Sequence, residues 1–511
     1  MMCEPPVLSS RSNKPKHVVI SGAGPGGVLV ALNLLGRNDY EAPNGSGIQY
    51  KVTLVDDRQN YGDVSMEELS KHRSWMIGLS KHGVTAIRDV PGLYNEYVSQ
   101  VGVQLKSFSL HLGAKEIKST DNKDDSISDN YIVDRNYIVW ALTNSLMDRY
   151  GDKKECFQPL FHTRGLFVDG SEKRLFVRGP DKSEYYVDYD ILIGADGIRS
   201  VVRSAFVQHD RHFECKTSDI FARFKAVHVE LPKSMDDASL HLLPNSLPNM
   251  NGIALPEKGN SINFSFGYYL HKECEEELKS SDPKVVADYF RKHFKAAELV
   301  DYDDLARQWT SQSWNSTGQV QCNKYHNDKL SAIIMGDAAH ATSPSIGMGM
   351  NTALADAAAL NRLLDEHKDD WDKVLPAFSQ ERVKEGRALS DLAYYLFSMK
   401  PSQALKNVIV GGIRNQLYKI IPSMVYPDPN TSLGVGEKLS VVYDQATKMG
   451  YLASVRATND EIRRKWEEER LGMVTPVKTN GFPILSSIFI VALASAGFYA
   501  RQNGVFQSFF C

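Results

Sequence analysis

Apolar positions along this chain fall into distinct rhythms. Nearly continuous apolar runs at residues 17–20, 51–55, 189–193 and 330–335 are rich in Val, Ile and Leu and predict buried strands. Longer apolar stretches begin at Val28, directly after glycines, and at Thr352, shortly after Gly347 and Gly349, and predict helices over 28–35 and 352–364. Residues 211–321 alternate in strand fashion, with Phe264, Phe266 and Tyr268 on one face, where they either line a pocket or fill a core. From 371 to 470 the pattern turns helical, broken near Pro422 to Pro429 and densely charged over 461–470. Polar runs at 38–47 and 121–129 read as loops, and residues 1–15 are polar with no apolar stretch that could act as a secretory signal.

Three of the strands run into short motifs. His17-Val18-Val19-Ile20 leads into Gly22, Gly24 and Gly27, a G-x-G-x-x-G turn that opens the first helix. The first glycine permits the turn, the second lets backbone approach a pyrophosphate, and the third lets helix pack on strand. The helix start then offers free N–H groups and a partial positive charge. The strand over 51–55 ends in Asp56 and Asp57, where an acid suits a ribose hydroxyl, and the 38–47 loop accounts for its extra distance from the glycines. Tyr189 to Ile193 runs into Gly194-Ala195-Asp196-Gly197, and Leu330 to Met335 into Gly336-Asp337. Gly347-Met348-Gly349-Met350-Asn351 precedes the alanine-rich helix and puts another helix start beside them. Strand-end carboxylates among small residues suit a large planar cofactor, so the three motifs point to FAD and a redox enzyme. His340 has the chemistry of a base, but it follows the Gly-Asp turn so closely that a structural role is expected.

Composition narrows the class. The 511 residues are enough for two or three folded units, with 59 basic and 62 acidic residues giving a net charge of −3. No broad basic patch supports nucleic-acid binding. Six scattered cysteines without C-x-x-C spacing argue against a zinc site or a disulfide framework and fit a reducing compartment, so no metal is expected.

Together the motifs resemble the class A flavin-dependent monooxygenases, the para-hydroxybenzoate hydroxylase fold, and are most similar to the kynurenine 3-monooxygenase family. The stretch Arg73-Ser74-Trp75-Met76-Ile77-Gly78-Leu79-Ser80, the sheet segments at 240–244 and 253–256, and Ala388-Leu389-Ser390-Asp391-Leu392 carry that likeness over roughly 16–395. The resemblance implies an α/β fold with an α+β substrate domain: a Rossmann-type FAD domain, an antiparallel-sheet substrate domain, and C-terminal helices. The FAD domain is discontinuous over 16–90, 131–210 and 322–370, the substrate domain covers 91–130 and 211–321, and a helical region covers 371–475. It further implies that Asp56 holds the adenosine ribose and Arg58 lies near the adenine end. Arg135 contacts the phosphoribityl region, Asp196 serves FAD and the nicotinamide cofactor, and Asp337 contacts the ribityl or pyrophosphate region. Gly347, Gly349, Met350 and Asn351 run along the isoalloxazine. NADPH or NADH would reduce FAD, and a C4a-hydroperoxide would deliver one oxygen atom of dioxygen to an aromatic substrate. No catalytic side chain is required by such chemistry, and none is singled out.

Two features set this chain apart. Where the kynurenine-hydroxylase family places a carboxylate-binding arginine, this chain has Phe108, with Lys106 the nearby cation on what reads as the same strand face; the family's glutamine is replaced by Met348. With His241, Phe264, Pro344 and Asn351, these form the expected substrate pocket, more apolar than kynurenine requires. An alternative substrate is a lipophilic isoprenoid or carotenoid, and an alternative of another class is a non-catalytic escort protein on the same fold. Residues 482–500 carry no charged side chain and are flanked by Lys478 and Arg501. As a helix they would reach about 28 Å, close to a bilayer core of about 30 Å. A tail-anchored protein with a cytosolic enzyme domain is expected, on the mitochondrial outer membrane first and the endoplasmic reticulum second.

Overall fold

The computed structural model describes residues 14–39, 47–71, 74–112, 115–120, 130–219, 222–296, 300–316, 318–434 and 436–472. The 121–129 loop and the 482–500 run lie outside them. Among the described residues no helix is long and apolar enough to cross a membrane.

The apolar runs form one sheet. Its strand order is Phe157–Leu160, Tyr50–Val55, Lys16–Ser21, Ile191–Gly194, Ala332–Ile334, all parallel, with His326–Asn327 antiparallel at the edge. Such strands are buried on both faces, which is why they read as continuous apolar runs rather than alternations. The helix Pro25–Asp39 packs on this sheet and against the helix Gly349–Glu366, with Val28, Leu29, Leu32, Leu354 and Leu360 in the shared core. A three-stranded antiparallel meander, Arg164–Asp169, Arg174–Arg178 and Glu184–Asp188, lies between two of its strands in sequence.

The second large sheet has the order Ala222–Glu230, Ser261–Tyr269, Met250–Glu257, Ser239–Leu247, Ser107–Leu112, Lys115–Thr120. Every pairing is antiparallel except that of Ser239–Leu247 with Ser107–Leu112. One face carries Val227, Phe264 and Phe266 against the helices Pro283–His293 and Tyr302–Thr310, around fully buried Trp309. The opposite face carries Leu240, Ile253 and Leu255 against Met76, Leu105 and Ile132. Residues 91–104 do not enter this sheet. Leu93, Tyr94, Val98 and Val101 pack into the first core, and Gly102–Gln104 joins a small sheet with Tyr131–Asp134 and Met76–Leu79. A two-stranded ribbon, Cys215–Asp219 with Gly318–Cys322, carries the chain out to the second sheet and back. Beyond the FAD-domain helices the chain is helical over Trp371–Tyr395, Pro401–Ile420, Pro429–Gly434, Leu439–Lys448 and Tyr451–Arg470.

Candidate functional site

The glycine turn, Asp56, the 194–197 turn and Gly336-Asp337 all leave the parallel sheet at its carboxyl edge, the place where open α/β sheets bind ligands. Gly22 follows the first strand with φ +107°, and a Cβ there would lie 2.2 Å from the Ala195 carbonyl oxygen, so the glycine turn and the 194–197 turn touch backbone to backbone. A Cβ on Gly27 would meet the Gly22 carbonyl oxygen at 2.0 Å. At Gly24 nothing lies within 4 Å. The three glycines thus divide as the motif requires: two are needed by the protein's own packing, and the middle one faces open space that a phosphate group can enter.

Asp56 stands at the end of the second strand. Its Oδ2 accepts from the Ala23 N–H at 2.6 Å, and its Oδ1 accepts from the Arg58 N–H at 2.8 Å and from Arg58 Nε at 3.0 Å. The acid therefore sits beside the glycine turn and fixes Arg58, whose guanidinium lies 5.6 Å from the Tyr61 ring. Asp196 accepts from the Val201 N–H at 2.7 Å and the Val202 N–H at 3.3 Å, holding the start of the helix Val201–His209. Its other carboxylate oxygen is buried without a hydrogen-bond partner, and burial raises its pKa. An orphaned acceptor at that point fits a ligand hydroxyl or amide.

Arg135 opens the helix Arg135–Tyr150, which Asp134 caps by accepting from the Asn136 N–H at 2.6 Å. Its guanidinium lies 4.9 Å from the Trp75 ring, and no carboxylate among the described residues pairs with it. Burial lowers its pKa, as does the neighbouring Arg58, while Asp337 acts in the opposite sense. A half-buried guanidinium that bonds no carboxylate among the described residues, beside a glycine-turn helix, fits a pyrophosphate. Asp337 is exposed at the start of the short helix Asp337–His340, after Gly336 with φ +55°. The residues present therefore fit FAD.

Beneath this turn, His340 Nε2 lies 2.7 Å from Asp356 Oδ2, and Arg382 Nε donates to Asp356 Oδ1 at 2.6 Å. Asp356 also accepts from the Gly336 N–H at 2.9 Å. Burial opposes its charge, but His340 and Arg382 outweigh that and hold its pKa down to about 2. His340 is thus tied to a buried carboxylate that shapes the Gly-Asp turn.

Gly347 (φ +64°) ends the turn Pro344–Ile346, with Pro344 exposed, and Gly349 and Met350 begin the long helix. Asn351 is fully buried. Its amide donates to the carbonyl oxygens of Gly78 at 2.8 Å and Gly347 at 3.0 Å, and its oxygen accepts from the Ser80 N–H at 2.9 Å. These bonds consume its polar groups in tying the 347–351 turn to the Met76–Leu79 strand. Met348 points into a cluster with Leu389, Leu392 and Leu396 of the C-terminal helices, and the Ser80 hydroxyl donates to its sulfur at 3.7 Å.

The expected pocket is not assembled as drawn from the sequence. Phe264 stacks on Phe266 at 5.9 Å within the helix-covered core, on the sheet face turned away from the small sheet and the Met76 cluster. His241 sits on that same far face, with its Nδ1 3.0 Å from His111 Nε2, because alternation sends it opposite to Leu240 and Leu242. Lys106 is exposed in a link between strands, so it shares no strand face with position 108. Phe108 pairs through its backbone with Leu240 and Ser119, and its side chain lies outside the described residues.

Residues that the sequence reading did not single out occupy the junction instead. Trp75 meets Phe224 edge-on at 6.3 Å, so Arg135, Trp75 and Phe224 form a ladder from one domain to the other. Beside it, His228 Nδ1 lies 2.6 Å from Glu257 Oε1, and its Nε2 lies 3.2 Å from the Ser74 carbonyl oxygen. Asn263, fully buried, lies 3.3 Å from the same imidazole. Trp75 stood inside a recognised stretch, but its partners lie on strands far away in sequence.

Comparison with known proteins agrees with this geometry. Residues 102–393 match the family described as FAD binding domain. Kynurenine 3-monooxygenase of Sus scrofa is 26% identical over 435 residues, covering 82% of this chain and 84% of that protein. Its counterpart in Anopheles gambiae is 26% identical over 391 residues, 75% of this chain and 74% of that protein. The tetrameric 2-methyl-3-hydroxypyridine-5-carboxylic acid oxygenase superposes with a TM-score of 0.55 at 16% identity, covering 75% of this chain and 90% of that one, a likeness of fold. The chain belongs to the FAD-binding-domain family and is an FAD-dependent monooxygenase of the aromatic-hydroxylase type, similar to kynurenine 3-monooxygenase.

Proposed function

We propose that this monooxygenase uses NADPH or NADH to insert one oxygen atom of dioxygen into an aromatic substrate less polar than kynurenine. The observation that carries the reading is the meeting of the glycine turn, Asp56, Asp196 and Asp337 at one sheet edge, with unpaired Arg135 facing them. When bound there, FAD supplies hydride acceptance and oxygen activation. The chain's own residues bind, orient and exclude water. The Gly24 backbone and the first helix N-terminus take the pyrophosphate with Arg135, Asp56 takes the ribose, and Asp337 takes the ribityl side. Asn351 fixes the 347–351 turn against the Met76–Leu79 strand, and the Trp75–Phe224 pair closes the junction against water.

The substrate reading rests on charge. His228 is already paired with Glu257, and Lys106 is in solvent. Burying a free carboxylate without a partner cation is costly. With Phe108 in place of an arginine, an aromatic compound lacking that carboxylate is favoured. The test measures nicotinamide oxidation by flavin-loaded protein with kynurenine and with aromatic compounds lacking its carboxylate, with mass spectrometry of the product. Efficient, coupled hydroxylation of kynurenine at low concentration would overturn the substrate reading. A colourless, folded protein would overturn the enzyme reading.

The 482–500 run is proposed as a membrane anchor that leaves the enzyme in the cytosol. Equal pelleting with membranes of the full chain and a chain ending at 480 would remove it.

A further inference from the structure

The helix Pro401–Ile420 is turned inside out for a helix in water. Its inward side carries Ala404, Gly411 and Asn415. Asn415 donates to Thr431 Oγ1 at 3.0 Å and accepts from the Asp428 N–H at 2.8 Å, and a Cβ on Gly411 would lie 2.6 Å from Asp428 Oδ2. Among the described side chains of this helix, small and polar groups make its packing surface. Directly opposite, at helical spacing, stand Ile409, Ile413, Leu417 and Ile420, which are 56%, 58%, 43% and 74% exposed. Met424, 81% exposed, extends the same surface past the helix end. Eight of the 14 exposed large apolar residues among the described residues lie between 409 and 426, so the apolar surface of the molecule is concentrated here. A patch of this kind marks an interaction site.

Charge identifies the occupant. Lys406 and Arg414 accompany the apolar face, and no acidic residue occurs from 401 to 427. An apolar stripe with only basic side chains, on a helix too polar to cross a membrane, is the composition of one that lies in a lipid headgroup layer. The long Lys and Arg stems reach from the apolar plane to anionic phosphates. A covering segment from the uncharged 482–500 run would fill the apolar stripe but bring no acid to face Lys406 and Arg414.

We propose that the face formed by Ile409, Ile413, Leu417, Ile420 and Met424 docks flat on an anionic lipid surface. This contact stands apart from the 482–500 anchor and from the proposed reaction, and it orients the enzyme on the membrane.

The test uses the full chain and vesicles of phosphatidylcholine with and without phosphatidylserine. In L417W, emission in excess of the unsubstituted chain is expected to be quenched by lipids brominated in the acyl chain, and more strongly on the anionic vesicles. Ile413→Glu with Leu417→Glu is expected to keep flavin content and melting temperature while losing the phosphatidylserine-dependent part of binding. Lys406→Gln should weaken that part roughly fivefold. Vesicle binding with no excess quenching in L417W would show attachment through the tail alone and overturn the proposal. So would burial of this face in lipid-free dimers that persist on vesicles. Flavin content and aromatic turnover are read separately, so either reading can fail without the other.

Discussion

Gly24 and Gly27 stand three residues apart and are needed for different reasons. A side chain on Gly24 enters open space, so Gly24→Val is expected to leave the melting temperature of the flavin-free protein within the effect of a surface change, about 0.5 kcal/mol. It should purify with far less flavin. Gly27→Ala drives a methyl group to 2.0 Å from a backbone oxygen that cannot step aside, and should destabilise the protein itself by about 1–3 kcal/mol or more. Flavin absorbance and melting of the apoprotein separate the two effects. Equal flavin loss with equal loss of stability in both variants would remove the assignment of Gly24 to the cofactor.

Asp356 makes a second prediction at the scale of single residues. A carboxylate held down to about 2 contributes stability that is whole above its ordinary value of 3.8 and fades as pH falls toward 2. Asp356→Asn leaves Arg382 buried beside a weaker acceptor, and a cost of about 3–5 kcal/mol is expected near neutrality. Denaturant midpoints of the variant should then change less between pH 4 and pH 2 than those of the parent. This network was only half legible. His340 could be read as structural from its place after Gly-Asp, but Asp356 and Arg382 lie in helices whose pattern says nothing about a shared buried charge.

Among the elements, the parallel strands were legible because burial on both faces writes them as continuous apolar runs. The glycine turn was legible because backbone contact leaves only glycine. What stayed hidden was lateral pairing. Ser239–Leu247 runs parallel to Ser107–Leu112 across more than a hundred residues, and nothing local encodes that register. Alternation placed Phe264 and Phe266 on one face but could not say which face met the helices. Periodicity also misleads at Pro401–Ile420, where an apolar stripe that reads as core points outward. The Asn351 contact between elements yields the third prediction. Asn351→Ala strands the carbonyl groups of Gly78 and Gly347 and the Ser80 N–H, so a loss of about 1–3 kcal/mol is expected, together with faster flavin release. Unchanged stability and flavin retention would show that the turn is held by other contacts.

At the scale of the whole molecule, His228 on the second large sheet reaches across to Ser74, next to the small sheet. Its Nε2 faces the Ser74 carbonyl, an obligate acceptor, so that nitrogen carries a proton; its Nδ1 faces the Glu257 carboxylate. Both contacts are satisfied only when the imidazole is charged. Burial opposes that charge, but Glu257 outweighs it and raises the His228 pKa above the ordinary 6.5. A raised histidine contributes stability that is full below its unfolded value and is lost as pH rises through the folded one. Deprotonation turns a lone pair toward the Glu257 carboxylate and loosens Ser74. Trp75 follows Ser74 directly and lies against Arg135, so the loss reaches the cofactor side. Flavin affinity is therefore expected to fall as pH is raised from about 6 past the histidine range, as read by fluorescence titration of the apoprotein with FAD. In His228→Asn that fall should disappear, leaving an affinity near the alkaline value of the parent at every pH. Flavin affinity that is equally pH-dependent in His228→Asn would place the titrating group elsewhere and leave the contact with Ser74 a matter of packing alone.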